Sequence, residues 1–419
     1  MPAFSPRLRG HIDEALTFLK WVLYACNIGL IVGAVAVAFH YGIDWAAQFR
    51  AHQPWVILFL PLGGVVIVLL YRWSGMERDR GTNLVLTAVR EAEPIRLRTA
   101  PLIFLSTILT HLVGGSAGRE GAALQLGGSI GAWVGRKIHL DEKDRRIMVM
   151  CGMSAAFSGL FGTPITAAIF AMEVVSVGVM YYAAIVPCVV SSLVSVQLAR
   201  FFGLHIGTGY LIGNVAVLGP WSMAQVCVMG VLCALLSILF CKVMHAAPKL
   251  YAKYFPNPLV RAAVGGALVL LLTLLVGEQT YNGAGDAVIR RMLAGETISE
   301  AFLLKLVFTA LTLGAGFRGG EIVPVLFTGA AFGTVVGPLL GLSQSFGGAL
   351  GMTAVFCGAT NCPITSILLA YELFTSRGLP LYALCCAISY MLSGYYGLYS
   401  EQKIIYSKFK ATWVDRKAE

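Results

Sequence analysis

The sequence predicts an all-α polytopic membrane protein made of two related halves with broken helices. Two observations carry this. Of 419 residues, 57% are hydrophobic and only 12% charged, and apolar runs long enough to cross a bilayer recur from residue 18 to the last thirty. Six glycines also hold one register: Gly81, Gly114, Gly118, Gly127, Gly131 and Gly135 recur as Gly283, Gly316, Gly320, Gly329, Gly333 and Gly337, each 202 residues later.

The first apolar run, 18–39, exceeds a signal-peptide core, has no small-residue cleavage site behind it and is followed by many more. It reads as a retained first span. Basic residues cluster in the N-terminal tail (Arg7, Arg9, Lys20), in 72–98 (Arg72, Arg78, Arg80, Arg90, Arg96, Arg98) and in the C-terminal tail (Lys403, Lys408, Lys410, Arg416, Lys417). Two crossings, 18–39 and about 54–71, separate the first cluster from the second, so both lie on one side, and the positive-inside rule makes that side cytoplasmic. The net charge of +10 therefore reports topology, and nucleic acid is not an expected partner. Ten cysteines lie mostly in apolar segments with no CxxC pair or zinc spacing, so they read as free thiols that pack like small apolar residues. No metal or other cofactor is expected.

The next segments are too short to span. Residues 101–113 stop at Gly114–Gly115 and 302–313 stop at Gly314, and at ~1.5 Å per residue a dozen residues cross only part of a core of roughly 30 Å. After each break a helix resumes, 122–135 and 324–337, with Gly every fourth residue and Pro324 at an expected first helical position. Later, PITAAIFAME (164–173) answers PITSILLAYE (363–372). One transmembrane transport domain, 1–419, thus divides into halves 17–203 and 217–402. Broken helices at matching places of two repeats point to a binding site near the midplane.

The glycine loops before the resumed helices end at helix N-termini, where unpaired N–H groups favour an anion. In GGSAGREGAALQLGG (114–128) the acid Glu120 stands where such an anion binds. Ionised, it competes for the same donors; protonated, it leaves. That exchange couples anion and proton movement in opposite directions, and an intramembrane acid is functional by default. The bland alternatives are an Arg119–Glu120 neighbour contact or a helix-cap carboxylate. Glu173 and Glu372, matched in the repeat, have capping as the stronger reading. GFRGGEIVP (316–324) carries a second acid, Glu321, expected to be protonated or hydrogen-bonded during part of the cycle.

These residues resemble the CLC family of anion channels and anion/proton antiporters. GREG (118–121) resembles its GREGP element, with Ala122 for the usual Pro; GGEIVP (319–324) stands where the family has GxFxP; GLYS (397–400) falls where it has an anion-contacting tyrosine, here Tyr399. The resemblance spans nearly the whole chain and implies inverted repeats, a homodimer and one pathway per subunit. It makes Glu120 the gating glutamate and proton carrier, and Glu321 a proton or anion contact. The anion-binding set is Gly81, Thr82, Asn83, Gly118, Arg119, Gly121, Gly320, Ile322, Val323 and Tyr399. Three departures are informative. GSGIP is replaced by GTNLV (81–85), so Thr82 stands for the anion-contacting serine; the internal proton glutamate of the chloride exchangers falls at Val174; and no nucleotide-binding module follows residue 419. Loss of GSGIP, the NLV after it, Glu321 within the GxFxP element and the missing internal glutamate together are similar to the fluoride-exporting branch, which exchanges fluoride for protons across the bacterial inner membrane. That branch often has Asn or Met at Thr82, and Val323 offers no side-chain hydrogen bond.

Two rivals remain open at the sequence level. Thr82 and Tyr399 can serve a CLC chloride exchanger or channel, yet Glu321 in the anion path argues against it. GGSAG (114–118) also fits the G-x-S-x-G of an intramembrane serine protease, but the base would have to be His40, His111 or His205, and none lies in a second glycine-rich helix motif.

Overall fold

The computed structural model describes residues 6–77, 79–91, 93–204, 210, 212–374 and 376–419, with backbone only for 6–9. Arg78, His205 and the side chains of Arg7 and Arg9 lie outside the described residues. Sixteen α-helices carry the described chain: α1 Pro6–His52, α2 Leu60–Trp73, α3 Thr82–Glu91, α4 Thr99–Leu112, α5 Glu120–Lys137, α6 Glu142–Phe161, α7 Pro164–Glu173 and α8 Ile185–Phe201 come first. The second half repeats the series as α9 Pro220–Tyr254, α10 Pro258–Val276, α11 Asp286–Leu293, α12 Ala301–Gly314, α13 Ile322–Leu339, α14 Gln344–Thr360, α15 Pro363–Phe374 and α16 Leu379–Leu392. Six helical stretches are long and apolar enough to cross a membrane, while α4, α7, α12, α15 and α16 are short apolar pieces. Short helices at membrane depth need protein around their ends, because lipid cannot satisfy their free backbone groups. The first break falls at Gly114 (φ +89°) as expected; in the second half α12 runs through Gly314, and the left-handed residue is Gly316 (φ +107°), a conformation that a side chain disfavours.

The helices resume two residues earlier than the sequence pattern indicates. α5 begins at Glu120, Glu321 is the N-cap of α13, and Pro324 is the third residue of that helix. Pro is still in the first turn, where its missing N–H removes no helical bond. The consequence is that both acids sit at helix N-termini.

Glycine stripes set the closest packing. Gly127 faces Gly152 and Gly131 faces Met148 where α5 crosses α6; in the second half Gly329 faces Gly351 and Gly333 faces Gly347 where α13 crosses α14. At each of these glycines an added Cβ would overlap facing backbone. Small residues there let the backbones touch.

Glu173 and Glu372 make reciprocal caps. Glu173 accepts from Ile364 N (3.1 Å), Thr365 N (2.8 Å) and Thr365 Oγ1 (2.5 Å), while Glu372 accepts from Ile165 N (3.0 Å) and Thr166 N (2.8 Å). Each acid closes its own helix and satisfies the N-terminal donors of its repeat partner.

One element goes beyond the helical expectation. β1 Ser176–Val177, β2 Lys403–Tyr406 and β3 Trp413–Lys417 form a small sheet in the order β1-β2-β3, with β1 parallel to β2 and β2 antiparallel to β3. It anchors the basic tail against the helices. Lys408, between β2 and β3, donates to Asn361 Oδ1, to Tyr390 O (3.0 Å) and to Ser393 Oγ (2.9 Å).

Candidate anion and proton site

The two glycine loops meet at one point. Gly118 and Gly320 form an isolated antiparallel bridge, each N–H donating to the other's carbonyl at 2.7 Å. An antiparallel pairing of residues at equal places in two repeats puts a two-fold relation between them at this bridge, and it delivers the N-termini of α5 and α13 to the same place.

Around that bridge the side chains gather closely. A Cβ on Gly121 would lie 2.9 Å from Gly320 Cα, 3.3 Å from Glu321 Oε2 and 3.4 Å from Thr82 Oγ1. Glu120 is fully buried, and Arg119 holds it through its backbone N–H to Oε2 (3.1 Å) and its Nε to Oε1 (3.2 Å). The neighbour contact and the helix-terminal position therefore coexist. Glu321 Oε2 and Tyr399 OH are sealed from solvent and have no hydrogen-bond partner among the described residues. Tyr399 stands within electrostatic range of both acids. Buried polar atoms without a partner are costly, and these two are left available to a ligand, a water or a proton.

The remaining anticipated residues divide. Gly81 turns the chain with φ +61°, and Thr82 Oγ1 donates to Gly121 O at 3.2 Å. Ile322 and Val323 are buried in the first turn of α13, where they contribute backbone donors. Asn83 is directed elsewhere: its Oδ1 accepts from Glu401 N at 3.1 Å, which ties α3 to the tail.

Several residues of the site carried no local signal. Asp79 accepts from Gly81 N (3.2 Å) and Gln125 Nε2 (2.9 Å to each oxygen) and pairs with Arg318 Nη1 at 3.4 Å, so it joins the Thr82 loop, α5 and the Glu321 loop. Arg318 also lies over the Tyr71 ring, 4.1 Å from its centroid. Gln402 positions Tyr399 from behind, accepting nothing from it but donating to Val174 O (3.0 Å) and Thr360 O (2.8 Å) while its N–H bonds Tyr399 O (3.0 Å). Only the presence of Asp and Arg among glycines and apolar residues hinted at the first pair.

A cavity of about 360 Å³ opens beside the Glu321 loop, lined by Tyr71, Arg72, Glu77, Arg261 and Arg318 among others. Arg72 pairs with Glu77 at 3.6 Å and Arg318 with Asp79, so Arg261 leaves the lining with one positive charge in excess, which favours an anion.

The geometry does not support the protease reading. Ser116 Oγ is buried and bonds Thr309 Oγ1 at 3.1 Å, His111 Nδ1 bonds Thr107 O at 2.8 Å, and His40 Nδ1 bonds Arg119 at 3.0 Å. Neither described histidine is partnered to that serine.

Broken helices meeting at buried acids within an inverted-repeat bundle define a multi-pass membrane protein of the ion-transport class. The family model described as "Voltage gated chloride channel" matches residues 62–394. The chain belongs to this family, the CLC family. It is 35% identical over 396 residues to a "Chloride/fluoride channel protein" of Pseudomonas syringae pv. tomato, covering 93% of this chain and 87% of that one. It is 25% identical to the "H(+)/Cl(-) exchange transporter ClcA" of Yersinia pestis, over 87% of this chain and 82% of that one. Among solved structures, a "CLC-type fluoride/proton antiporter" superposes with a TM-score of 0.88 at 34% identity, covering 92% of this chain and 98% of the other. A "slow cyanobacterial Cl-/H+ antiporter" superposes at 0.73 with 17% identity, over 89% and 94%, and that likeness concerns the fold alone.

Proposed function

We propose that the protein is a fluoride/proton antiporter that exports fluoride from the bacterial cytoplasm in exchange for protons. The observation that carries this reading is the convergence of two acids, Glu120 and Glu321, on the single point made by the Gly118–Gly320 bridge. The similarity to a relative named for chloride and fluoride and to a fluoride/proton antiporter structure supports the choice of anion. Fluoride is small and strongly hydrated, so it gains most from O–H and N–H donors. Protonated Glu321 and the free Tyr399 hydroxyl supply two of them.

In this scheme the N-terminus is cytoplasmic, the protein sits in the inner membrane as a homodimer with one pathway per subunit, and the halves 17–203 and 217–402 form one transport domain. Fluoride enters through the arginine-lined cavity, which opens where α2 ends and α10 begins, and reaches backbone donors of the two glycine loops, with Thr82 and Tyr399 beside it. There it displaces the Glu120 carboxylate. Glu120 takes a proton from the far face and swings out; fluoride leaves; Glu120 returns and its proton passes inward, relayed by Glu321 or balanced by it. Glu120 thus acts as gate and proton carrier. Asn83 ties α3 to the tail and contributes its backbone alone.

The deciding experiment is efflux of fluoride and of chloride from proteoliposomes with pH recorded in the same vesicles. Fast fluoride efflux with proton uptake and little chloride movement is expected. Comparable chloride efflux would replace fluoride by chloride as the substrate and make Thr82 the stand-in for the chloride-contacting serine.

A further inference from the structure

Beyond the two acids, one titratable side chain is wired to the gate. His40 Nδ1 lies 3.0 Å from Arg119 Nη1, and Arg119 Nε lies 3.2 Å from Glu120 Oε1. A guanidinium keeps its protons and has no acceptor, so in this pair the imidazole accepts. That requires a neutral His40 with its lone pair on Nδ1 and its proton on Nε2. Protonation removes the lone pair and sets two cations in contact.

His40 lies near the far end of α1, twelve residues before His52, and is half-buried rather than sealed. Among the described residues the charged groups around it are few. Asp44 lies one turn along α1, Asp286 opens α11, and Arg119 reaches over from the loop before α5. α4 meets this part of α1 with Phe104 and Ile108, and α6 and α8 meet it with Gly159, Ser195 and Leu198, none of them charged. His111 and Tyr210 stand within electrostatic range of Arg119 on its other sides.

We infer that His40 is a positioning residue: neutral, it holds the Arg119 guanidinium against the Glu120 carboxylate, and a proton reaching His40 from the far face breaks that hold and releases Glu120. The inference rests on the role proposed for Glu120. It adds to that role a sensor that speeds exchange when the far side is acidic, when protons are available to drive it.

The test compares wild type, His40→Asn and His40→Lys in proteoliposomes, reading for each the ratio of fluoride efflux when the pH facing His40 is dropped from about 7.5 to about 4.5, a span that reaches below the ordinary histidine range. Asparagine keeps an acceptor near the Nδ1 position and does not titrate; lysine carries a fixed charge. The wild-type ratio is expected to exceed the His40→Asn ratio by roughly tenfold, a barrier change of ~1.4 kcal/mol. His40→Lys is expected to give the flat, fast profile of the released state. Equal ratios in wild type and His40→Asn would overturn the inference while leaving fluoride exchange intact. If chloride moves and fluoride does not, the substrate assignment fails and the same ratios are read on chloride. If neither anion moves, nitrogen-15 NMR of histidine-labelled protein decides: a neutral His40, identified by its loss in His40→Asn, must carry its proton on Nε2. A proton on Nδ1 at neutral pH would refute the wiring.

Discussion

Gly118 and Gly320, 202 residues apart, bond each other through both backbone groups at 2.7 Å. The bridge leaves no room for side chains: a Cβ at Gly320 would lie 2.5 Å from Gly121 N and 3.0 Å from Gly121 Cα, and both are backbone. Gly320→Ala must therefore part the two helix N-termini. Overpacking of this kind costs about 1–3 kcal/mol. Fluoride efflux is expected to fall by roughly tenfold or more, and an unchanged rate would remove the bridge from the site.

Glu120→Gln keeps the shape of the side chain and loses its charge and its proton cycle. Proton-coupled exchange is expected to vanish in the efflux assay. Proton movement persisting in this variant would defeat the scheme. Glu321→Gln separates the two roles left for that acid: fluoride binding that survives with coupling lost makes it a relay, and loss of binding makes it an anion contact.

The reciprocal caps of Glu173 and Glu372 predict a different outcome. Glu173→Ala frees the Ile364 and Thr365 N–H groups of α15 inside the bundle, and a lost cap costs roughly 0.5–2 kcal/mol. A lower thermal midpoint in detergent is expected, with the proton-to-anion ratio unchanged. A changed ratio would give Glu173 a transport role.

Asp79 and Arg318 tie the Thr82 and Glu321 loops together at 3.4 Å. Asp79→Ala leaves Arg318, Gln125 and Gly81 N without their acceptor, and slower efflux is expected. In a double-mutant cycle with Arg318→Leu, a coupling of about 0.5–3 kcal/mol is expected, toward the low end because Arg318 keeps some solvent contact. Strict additivity would show that the pair is incidental.

Lys408 lies outside the spanning helices, and burial pushes its amine down from 10.5 to about 8. The folded tail therefore loses this proton before the unfolded tail does. Since the unfolded form binds more protons between those values, docking of the tail gains stability as pH rises from about 8 toward 10.5. Chymotryptic release of the C-terminal segment, compared with Lys408→Met at each pH, is expected to slow across that window in the wild type alone. Parallel curves would assign the lysine no part in docking.

What was legible beforehand is uneven, and the particular residues say why. The break at Gly114 and the acid at Glu120 stand out because glycine and charge are conspicuous in apolar sequence, while the second break lies at Gly316, two residues past the Gly314 that the sequence marks. α5 and α13 start two residues before the glycine pattern places them; in α13 the reason is that a first-turn proline such as Pro324 occupies more than one position. The resemblance puts Asn83 in the anion set beside Thr82, but a neighbour in sequence on a helix points to another face. Here that face meets Glu401. Capping as the stronger reading of Glu173 agrees with its geometry, although only the fold shows that the capped helix is α15.

The helical membrane class, the two related halves, the first helix break and the acid at the head of α5 are all legible in the sequence. Those follow from hydropathy, period and backbone freedom, which act over a few residues. That Gly118 meets Gly320, that Asp79 reaches Arg318, that Glu173 and Glu372 exchange caps and that Arg119 bridges Glu120 to His40 emerges only from the fold. Each of these, the Arg119–Glu120 contact aside, joins residues dozens to hundreds of positions apart. Such partners are chosen by how helices pack in three dimensions, and local sequence carries no record of which distant donor will fill a given acceptor.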